Sequence, residues 1–244
     1  MIKKILVLLL IINGVLCFAK KNISFSAGFN VTEEFFTVLY QTQYSPKFNV
    51  RFEIEKKFIY FYLQHKLNLD FSLWNIYYKN NLLYYTDKTL SLDLPFDYEF
   101  SLNLTPIKQL NIIFGSGWAL NLRFDRYSKG NFFWHSTLKF SPHPFLSIGI
   151  GFNLFSRLDF FIKDSIGFFY SYFFSYSKES YITSTYCTLV TNRFIVESSI
   201  KIVGRYRIYF GYTNRIEVFL DPSIFMPFLG YTTNFFYLGL KIEI

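Results

Sequence analysis

The sequence has 244 residues, enough for one large domain or two small ones, and a formal net charge of +8. Aromatic residues make up 23% of it and charged residues only 17%, which excludes an intrinsically disordered chain, because disordered chains are poor in aromatics. The 2 cysteines are too few for a disulfide scaffold, and the wealth of Phe and Tyr is untypical of a coiled coil.

The first feature along the chain is a candidate secretory signal peptide over residues 1–19. Lys3 and Lys4 give it a charged start, an apolar stretch follows, and Cys17 begins a small-x-small cleavage pattern that ends at residue 19. The apolar run is shorter than the ~20 residues that cross a bilayer as a helix. We therefore expect cleavage before Lys20 and a mature domain over 20–244. The alternative is lipid attachment at Cys17.

The remainder of the chain alternates apolar and polar residues with a period of two, which is the period of a β-strand. In the first such segment Phe25 and Phe29 share one face, and Ser24 and Ser26 share the other. The pattern therefore predicts an all-β protein in which every strand has one apolar and one polar face. The alternating segments are 23–31, 48–54, 59–73, 90–104, 110–124, 146–154, 166–176, 194–202, 206–220 and 236–244.

Two architectures use such strands, a soluble β-sandwich and a transmembrane β-barrel whose apolar face meets lipid. The apolar register of 90–104 runs further than common sandwich strands do. The polar register is rich in Gly, Ser and Asn, which suits a crowded barrel interior. The pattern therefore favours a closed antiparallel transmembrane β-barrel, in which the wall satisfies its own backbone hydrogen bonds.

Proline-containing segments separate several of the alternating runs, at 45–47, 105–108 and 141–144. Because proline has no N–H to donate to a ladder, we expect each of these segments to be a tight turn. Bacterial single-chain barrels have even strand numbers. With these turns the sequence predicts about 12 strands, within a range of 10–14.

The last segment, 234–244, places Phe236, Leu238, Leu240 and Ile242 on one face. It resembles the C-terminal signal of bacterial outer-membrane β-barrel proteins, whose last residue is commonly Phe where this chain has Ile244. The resemblance is to a class of small porin-like barrels rather than to one family. It implies an outer-membrane location, contact with outer-membrane lipid, and recognition of 234–244 by the barrel-assembly machinery.

The charged residues of the polar register are the candidate lining of a pore. Acids and bases nearly balance there, so we expect a small porin-like channel for polar solutes with weak ion selectivity. The alternative is a closed structural or adhesive barrel, which a count of ten strands or fewer would favour. The candidate pore-lining residues are Arg51, Glu53, Asp93, Asp97, Glu99, Arg123, Arg205 and Arg207.

Segment 221–233 is apolar, contains two prolines and precedes the last strand. We expect it at the outer end of the barrel, where Phe225, Met226 and Phe228 would form a constriction or a contact surface.

Motifs for catalysis and metal binding are missing from the sequence: it has no Gly-x-Ser-x-Gly, no His-Glu-x-x-His and no phosphate-binding glycine loop. We therefore expect no enzymatic activity, cofactor, metal or nucleic-acid partner. A barrel lipase or protease that uses His65 or His135 is the remaining alternative.

Overall fold

The computed structural model describes residues 20–36, 39–58, 60–72, 76–77, 87–129, 132–154, 157–177, 183–220 and 227–244. Among these residues, no helix is long and apolar enough to cross a membrane. The strands are β1 (Lys20–Phe36), β2 (Leu39–Lys57), β3 (Phe61–Ser72), β4 (Ile76–Tyr77), β5 (Asp87–Ile107), β6 (Leu110–Lys129), β7 (Phe132–Leu154), β8 (Leu158–Ser177), β9 (Thr183–Val203), β10 (Tyr206–Leu220) and β11 (Pro227–Glu243).

The strands close into one antiparallel barrel. Each long strand pairs with its neighbours in the chain, and β1 also pairs with β11. The two residues of β4 continue β3 along β2, so the wall has ten strands. The strands are tilted and staggered, as closure requires. A path that starts at Asn22 and follows paired residues once around the wall therefore returns to β1 at Glu34 rather than at Asn22.

The predicted closed antiparallel barrel is confirmed, but the strand number is ten rather than about twelve. The difference comes from prolines that lie inside strands. Pro46 is in β2, where it pairs with Phe29 of β1 while the ladder to β3 stops at Lys47. Pro142 and Pro144 are in β7, where they pair with β6 while the ladder to β8 skips 141–144.

Proline is tolerated in a strand where the ladder on one side is interrupted, because no neighbour then requires its missing N–H. Two of the three predicted turns are therefore wrong, and each wrong turn splits one long strand into two. The third, 105–108, does lie at a turn, since β5 ends at Ile107 and β6 begins at Leu110.

The two ends of the barrel differ in their connections. The end that holds Lys20 and Glu243 has short turns, and one of them contains Gly204 with a φ of 56°. A left-handed backbone of this kind favours glycine. The longest connection, between β3 and β5, lies at the opposite end. We call the first the short-turn end and the second the long-connection end.

The two faces of the wall have the chemistry that the alternation predicts. Large apolar side chains point outward and are exposed, for example Phe25 at 50%, Leu146 at 71% and Leu238 at 60%. Polar and charged side chains point inward and are buried, as Ser24 and Glu99 are. The barrel therefore has an apolar exterior and a polar interior, which is the arrangement of a barrel surrounded by lipid.

Candidate functional site: the barrel lumen

The lumen is divided into an open half and a filled half. A cavity of about 990 Å³ begins at the short-turn end, where Lys20, Lys57 and Arg205 surround its mouth, and we call it the vestibule. A second cavity of about 40 Å³ lies deeper, among Asp97 and His143. It has room for no more than a few water molecules.

An ion pair between opposite walls closes the inner end of the vestibule. Nη1 of Arg51 in β2 donates to both carboxylate oxygens of Glu197 in β9, at 3.0 and 2.7 Å. Nε of Arg51 donates to Oδ1 of Asn68 at 3.0 Å, and the hydroxyl of Tyr237 donates to Glu197 at 2.9 Å. Because β1, β11 and β10 stand between β2 and β9 in the wall, this bridge crosses the lumen.

Two further pairs lie beside this bridge. Lys163 in β8 pairs with Glu99 in β5, which also accepts a hydrogen bond of 2.6 Å from Ser147. Lys241 in β11 pairs with Glu53 in β2. All of these groups except Lys241 are at least nine-tenths buried, so each buried charge depends mainly on its partner for compensation. We define the ion-pair layer as Arg51, Glu53, Glu99, Lys163, Glu197 and Lys241.

Two tyrosines pack against the layer because two glycines give them room. Gly211 is the ladder partner of Tyr237, and Gly239 is the ladder partner of Tyr209. A Cβ at Gly211 would lie 2.6 Å from the Tyr237 hydroxyl, and one at Gly239 would lie 2.6 Å from the Tyr209 ring. The two rings meet at 5.9 Å in an edge-to-face arrangement, and the Arg51 guanidinium lies 5.5 Å from the Tyr209 ring centre.

Beyond the layer, toward the long-connection end, the lumen is packed. Arg193 pairs with Asp97 at 2.9 Å, and Lys47 pairs with Asp70 at 2.9 Å. The Arg123 guanidinium stacks 4.3 Å from the centre of the Tyr231 ring. An apolar cluster of buried side chains also lies in this half. The cluster consists of Cys187, Leu189, Phe219 and Tyr231. Of the two cavities described, the vestibule is by far the larger.

The predicted pore-lining residues fall at different depths. Arg51, Glu53 and Glu99 belong to the ion-pair layer, whereas Asp97 and Arg123 lie in the packed half. Arg207 pairs with Asp159 in the vestibule, and Arg205 is exposed in the turn at its mouth.

The other predicted site residues fall wholly or partly outside the described residues. Asp93 pairs with Ser72 and Arg123 in the β5 ladders, but its side chain is outside the described part. Phe225 and Met226 lie outside the described residues, and so does the side chain of Phe228 in β11. The expectation that 221–233 precedes the last strand is wrong for 227–233, because β11 begins at Pro227 and pairs there with β10 and β1.

Three charged residues of the lumen were not predicted as site residues from the sequence. They are Lys47, Lys163 and Arg193. Lys47 falls in the segment expected to be a turn, but in β2 it is buried at 4% exposure. Lys163 and Arg193 stand just before the alternating segments 166–176 and 194–202. If the two-residue alternation of each segment is continued toward the N-terminus, both side chains point into the lumen. Near Arg193 the signal is weak because the inward neighbours Leu189 and Ile195 are apolar and buried, which removes the contrast between faces.

No family model and no curated protein matches the chain. Solved structures do. The outer-membrane protease OmpT of Escherichia coli is similar over 92% of this chain and 97% of its own, with 8% identity and a TM-score of 0.56. The chain has the fold of bacterial outer-membrane β-barrel proteins. The predicted resemblance to that class is therefore confirmed, and at this identity the likeness shows the fold alone.

Two transporters give weaker matches. The toluene transporter TbuX of Ralstonia pickettii has 6% identity and a TM-score of 0.45, with 92% of this chain and 90% of its own covered. The toluene transporter TodX of Pseudomonas putida has 5% identity and a TM-score of 0.40, with 92% and 89% covered.

The histidines of this outer-membrane-type barrel lie in different environments. His65 is on the outer face, where its Nδ1 lies 2.6 Å from the Tyr98 hydroxyl. His143 is buried in the lumen, and its Nδ1–H donates to the carbonyl oxygen of Ser141 at 3.1 Å. The side chain of His135 is outside the described part. Within the described ranges no three His, Cys, Asp or Glu side chains are grouped to hold a metal ion.

Proposed function

We propose that the chain is a closed structural barrel of the bacterial outer membrane, with a vestibule open to the periplasm and no open pore. The observation that carries this proposal is the Arg51–Glu197 bridge, which crosses the lumen between opposite walls. The packed half beyond the bridge supports it, because Leu189, Phe219 and Tyr231 there are at most 1% exposed.

The membrane location is supported by the exterior of the barrel and by its ends. Exposed apolar side chains cover the outer face, as expected for contact with outer-membrane lipid. Barrels of this class have short turns on the periplasmic side and longer loops outside. The short-turn end, and with it the vestibule, would then face the periplasm. Export through cleavage of 1–19 and recognition of 234–244 by the assembly machinery are parts of the same proposal.

The closure is energetically well supported. Separating Arg51 from Glu197 would leave two almost fully buried charges without their partners, which costs several kcal/mol per ion. The Asn68 and Tyr237 hydrogen bonds add to the hold on these two groups. The layer is therefore a stable partition.

A small porin-like channel for polar solutes is the second candidate. It is favoured by one feature: the described barrier is made of wall side chains, so rotamer changes would open it without moving a strand or a loop. The polar vestibule would then be one half of the pathway. The two candidates make opposite predictions for the resting protein.

The deciding experiment is conductance of the refolded mature chain in a planar bilayer, with folding verified by heat-modifiable gel mobility. We expect a folded, inserted barrel that is electrically silent. Discrete current steps would contradict the closed barrel and support the channel.

Thiol labelling of the same protein in vesicles shows whether silence reflects a closed lumen. In a Cys187→Ser background, Asn111→Cys lies in the vestibule and Thr191→Cys lines the small deep cavity. A water-soluble thiol reagent should modify the first and spare the second. Equal modification of both would show that water reaches the deep cavity, through the ion-pair layer or from the long-connection end, and would contradict closure.

A further inference from the structure

Lys66 is a buried cation beside the ion-pair layer that has no carboxylate of its own. Lys66 lies on β3 and is only 6% exposed. It forms no salt bridge or hydrogen bond with any described residue, and its ammonium lies 5.6 Å from the centre of the Phe161 ring. A buried ammonium is costly unless it is paired, and a cation–π contact offsets only part of that cost.

The charges that face Lys66 are already engaged with one another. Arg51 and Lys163 are near it and repel it, while Glu53, Glu197 and Glu99 attract it. Glu197 is bonded to Arg51, Glu53 to Lys241, and Glu99 to Lys163. With Lys66 included, four cations therefore face three carboxylates, and the set lacks one negative charge.

An anion that supplies the missing negative charge could enter through the vestibule and reach Lys66. Lys66 lines the vestibule, together with neutral hydrogen-bonding side chains that lie nearer the mouth, Gln64 and Ser101 among them. Charged groups around the whole cavity carry a positive surplus, which attracts anions from solution. The cations are Lys20, Lys57, Lys66, Lys108, Lys163, Arg205, Arg207 and Lys241, and the acids are Glu53, Glu55, Glu99, Asp159, Glu197 and Glu243.

We propose that the vestibule binds a small soluble anion, a phosphate or carboxylate compound, whose negative group contacts the Lys66 ammonium. Gln64 and Ser101 would donate further hydrogen bonds to it. A cavity of about 990 Å³ accommodates a metabolite-sized molecule. The inference rests on the closed inner end of the vestibule, which makes the cavity a pocket rather than a passage.

Titration calorimetry of the refolded mature chain in a neutral detergent tests this, with inorganic phosphate as the first probe and acetate as the second. We expect saturable binding of at least one probe by the wild type. Lys66→Met should weaken it roughly tenfold or more, because a charge-assisted hydrogen bond is lost. Lys108→Met is the matched control, since Lys108 lies exposed at the mouth of the same cavity and should change affinity little.

Binding that survives Lys66→Met unchanged, or a folded wild type that binds neither probe, would overturn the proposal. If the Met variant does not fold, Lys66→Gln takes its place. A measurement on the wild type alone is independent of both variants: phosphate should raise the temperature of heat-induced mobility change more than chloride of equal ionic strength does. Conductance tests closure separately, so the two proposals fail in different experiments.

Discussion

The two halves of the lumen are built from the same wall but filled differently. In the vestibule half, small inward residues such as Ser101, Asn103 and Gly151 stand between longer charged side chains, and about 990 Å³ is open. In the packed half the inward residues include Phe219 and Tyr231, and the cavity described there has a volume of about 40 Å³. The volume of the inward side chains, in addition to the strand number, therefore decides whether a ten-stranded barrel is open.

The boundary between the halves is electrostatic. Charges at the boundary are mostly buried and depend on their partners, whereas Lys20, Lys57 and Arg205 at the mouth are exposed. The same substitution should therefore have a large effect at the ion-pair layer and a small one in the vestibule.

The largest effect is expected for Glu197→Ala, which leaves the Arg51 guanidinium buried without its carboxylate. Breaking one side of a buried ion pair costs about 3–5 kcal/mol. Urea unfolding of the variant in lipid vesicles should show this loss as a lower midpoint at an unchanged slope. Glu55→Ala, on the vestibule side, should change the free energy of unfolding by less than about 0.5 kcal/mol.

A paired replacement separates loss of charge from loss of packing. Arg51→Met with Glu197→Leu removes both charges and keeps the bulk, so stability should recover to near the wild-type value. Equal destabilisation by Glu197→Ala and Glu55→Ala would show that the boundary is hydrated, and would contradict the difference between the halves.

A smaller effect is expected for Gly211→Ala, which tests whether Tyr237 needs the space beside Gly211. The new methyl group would overlap the tyrosine ring and the carbonyl oxygen of Val196, 2.7 Å away. Overpacking of this kind costs about 1–3 kcal/mol. Gly151→Ala in the vestibule half is the control, because its nearest neighbours are 3.6 Å from the added Cβ.

The free energies of unfolding of the two alanine variants give the comparison. If Gly211→Ala is as stable as Gly151→Ala, the tyrosine is free to move and the ion-pair layer is looser than the packing indicates. Labelling of Thr191→Cys in the Gly211→Ala background would then show whether water has entered.

The faces and the closure of the barrel could be predicted from the sequence, because two-residue alternation fixes which side chains share a face whatever their partners are. The strand number could not, since Pro46 is compatible with a turn or with a gap in one ladder, and local sequence does not distinguish them. The partners within the ion-pair layer could not be predicted from the sequence either. Arg51 and Glu197 are brought together only by the circumference of the closed wall.

The smallest effect is expected at the seam between β1 and β11, where Lys20 pairs with Glu243 at 2.8 Å outside the membrane-spanning part of the wall. The hydrogen bond from Lys20 lowers the pKa of the Glu243 carboxyl below its ordinary value. Glu243 therefore contributes stability above its unfolded-state pKa and loses it as the pH falls through the folded-state pKa. Both side chains are more than two-fifths exposed, so solvent screening limits the contribution to about 0.2–1 kcal/mol.

Glu243→Gln should be slightly less stable than the wild type at pH 7, and the two urea midpoints should converge below the folded-state pKa, where the carboxyl is protonated in both states of the wild type. High salt should narrow the same gap at pH 7. A gap that persists unchanged at low pH would mean that the substituted amide disturbs the seam through packing rather than charge. The seam would then behave like the packed half of the lumen instead of the hydrated one.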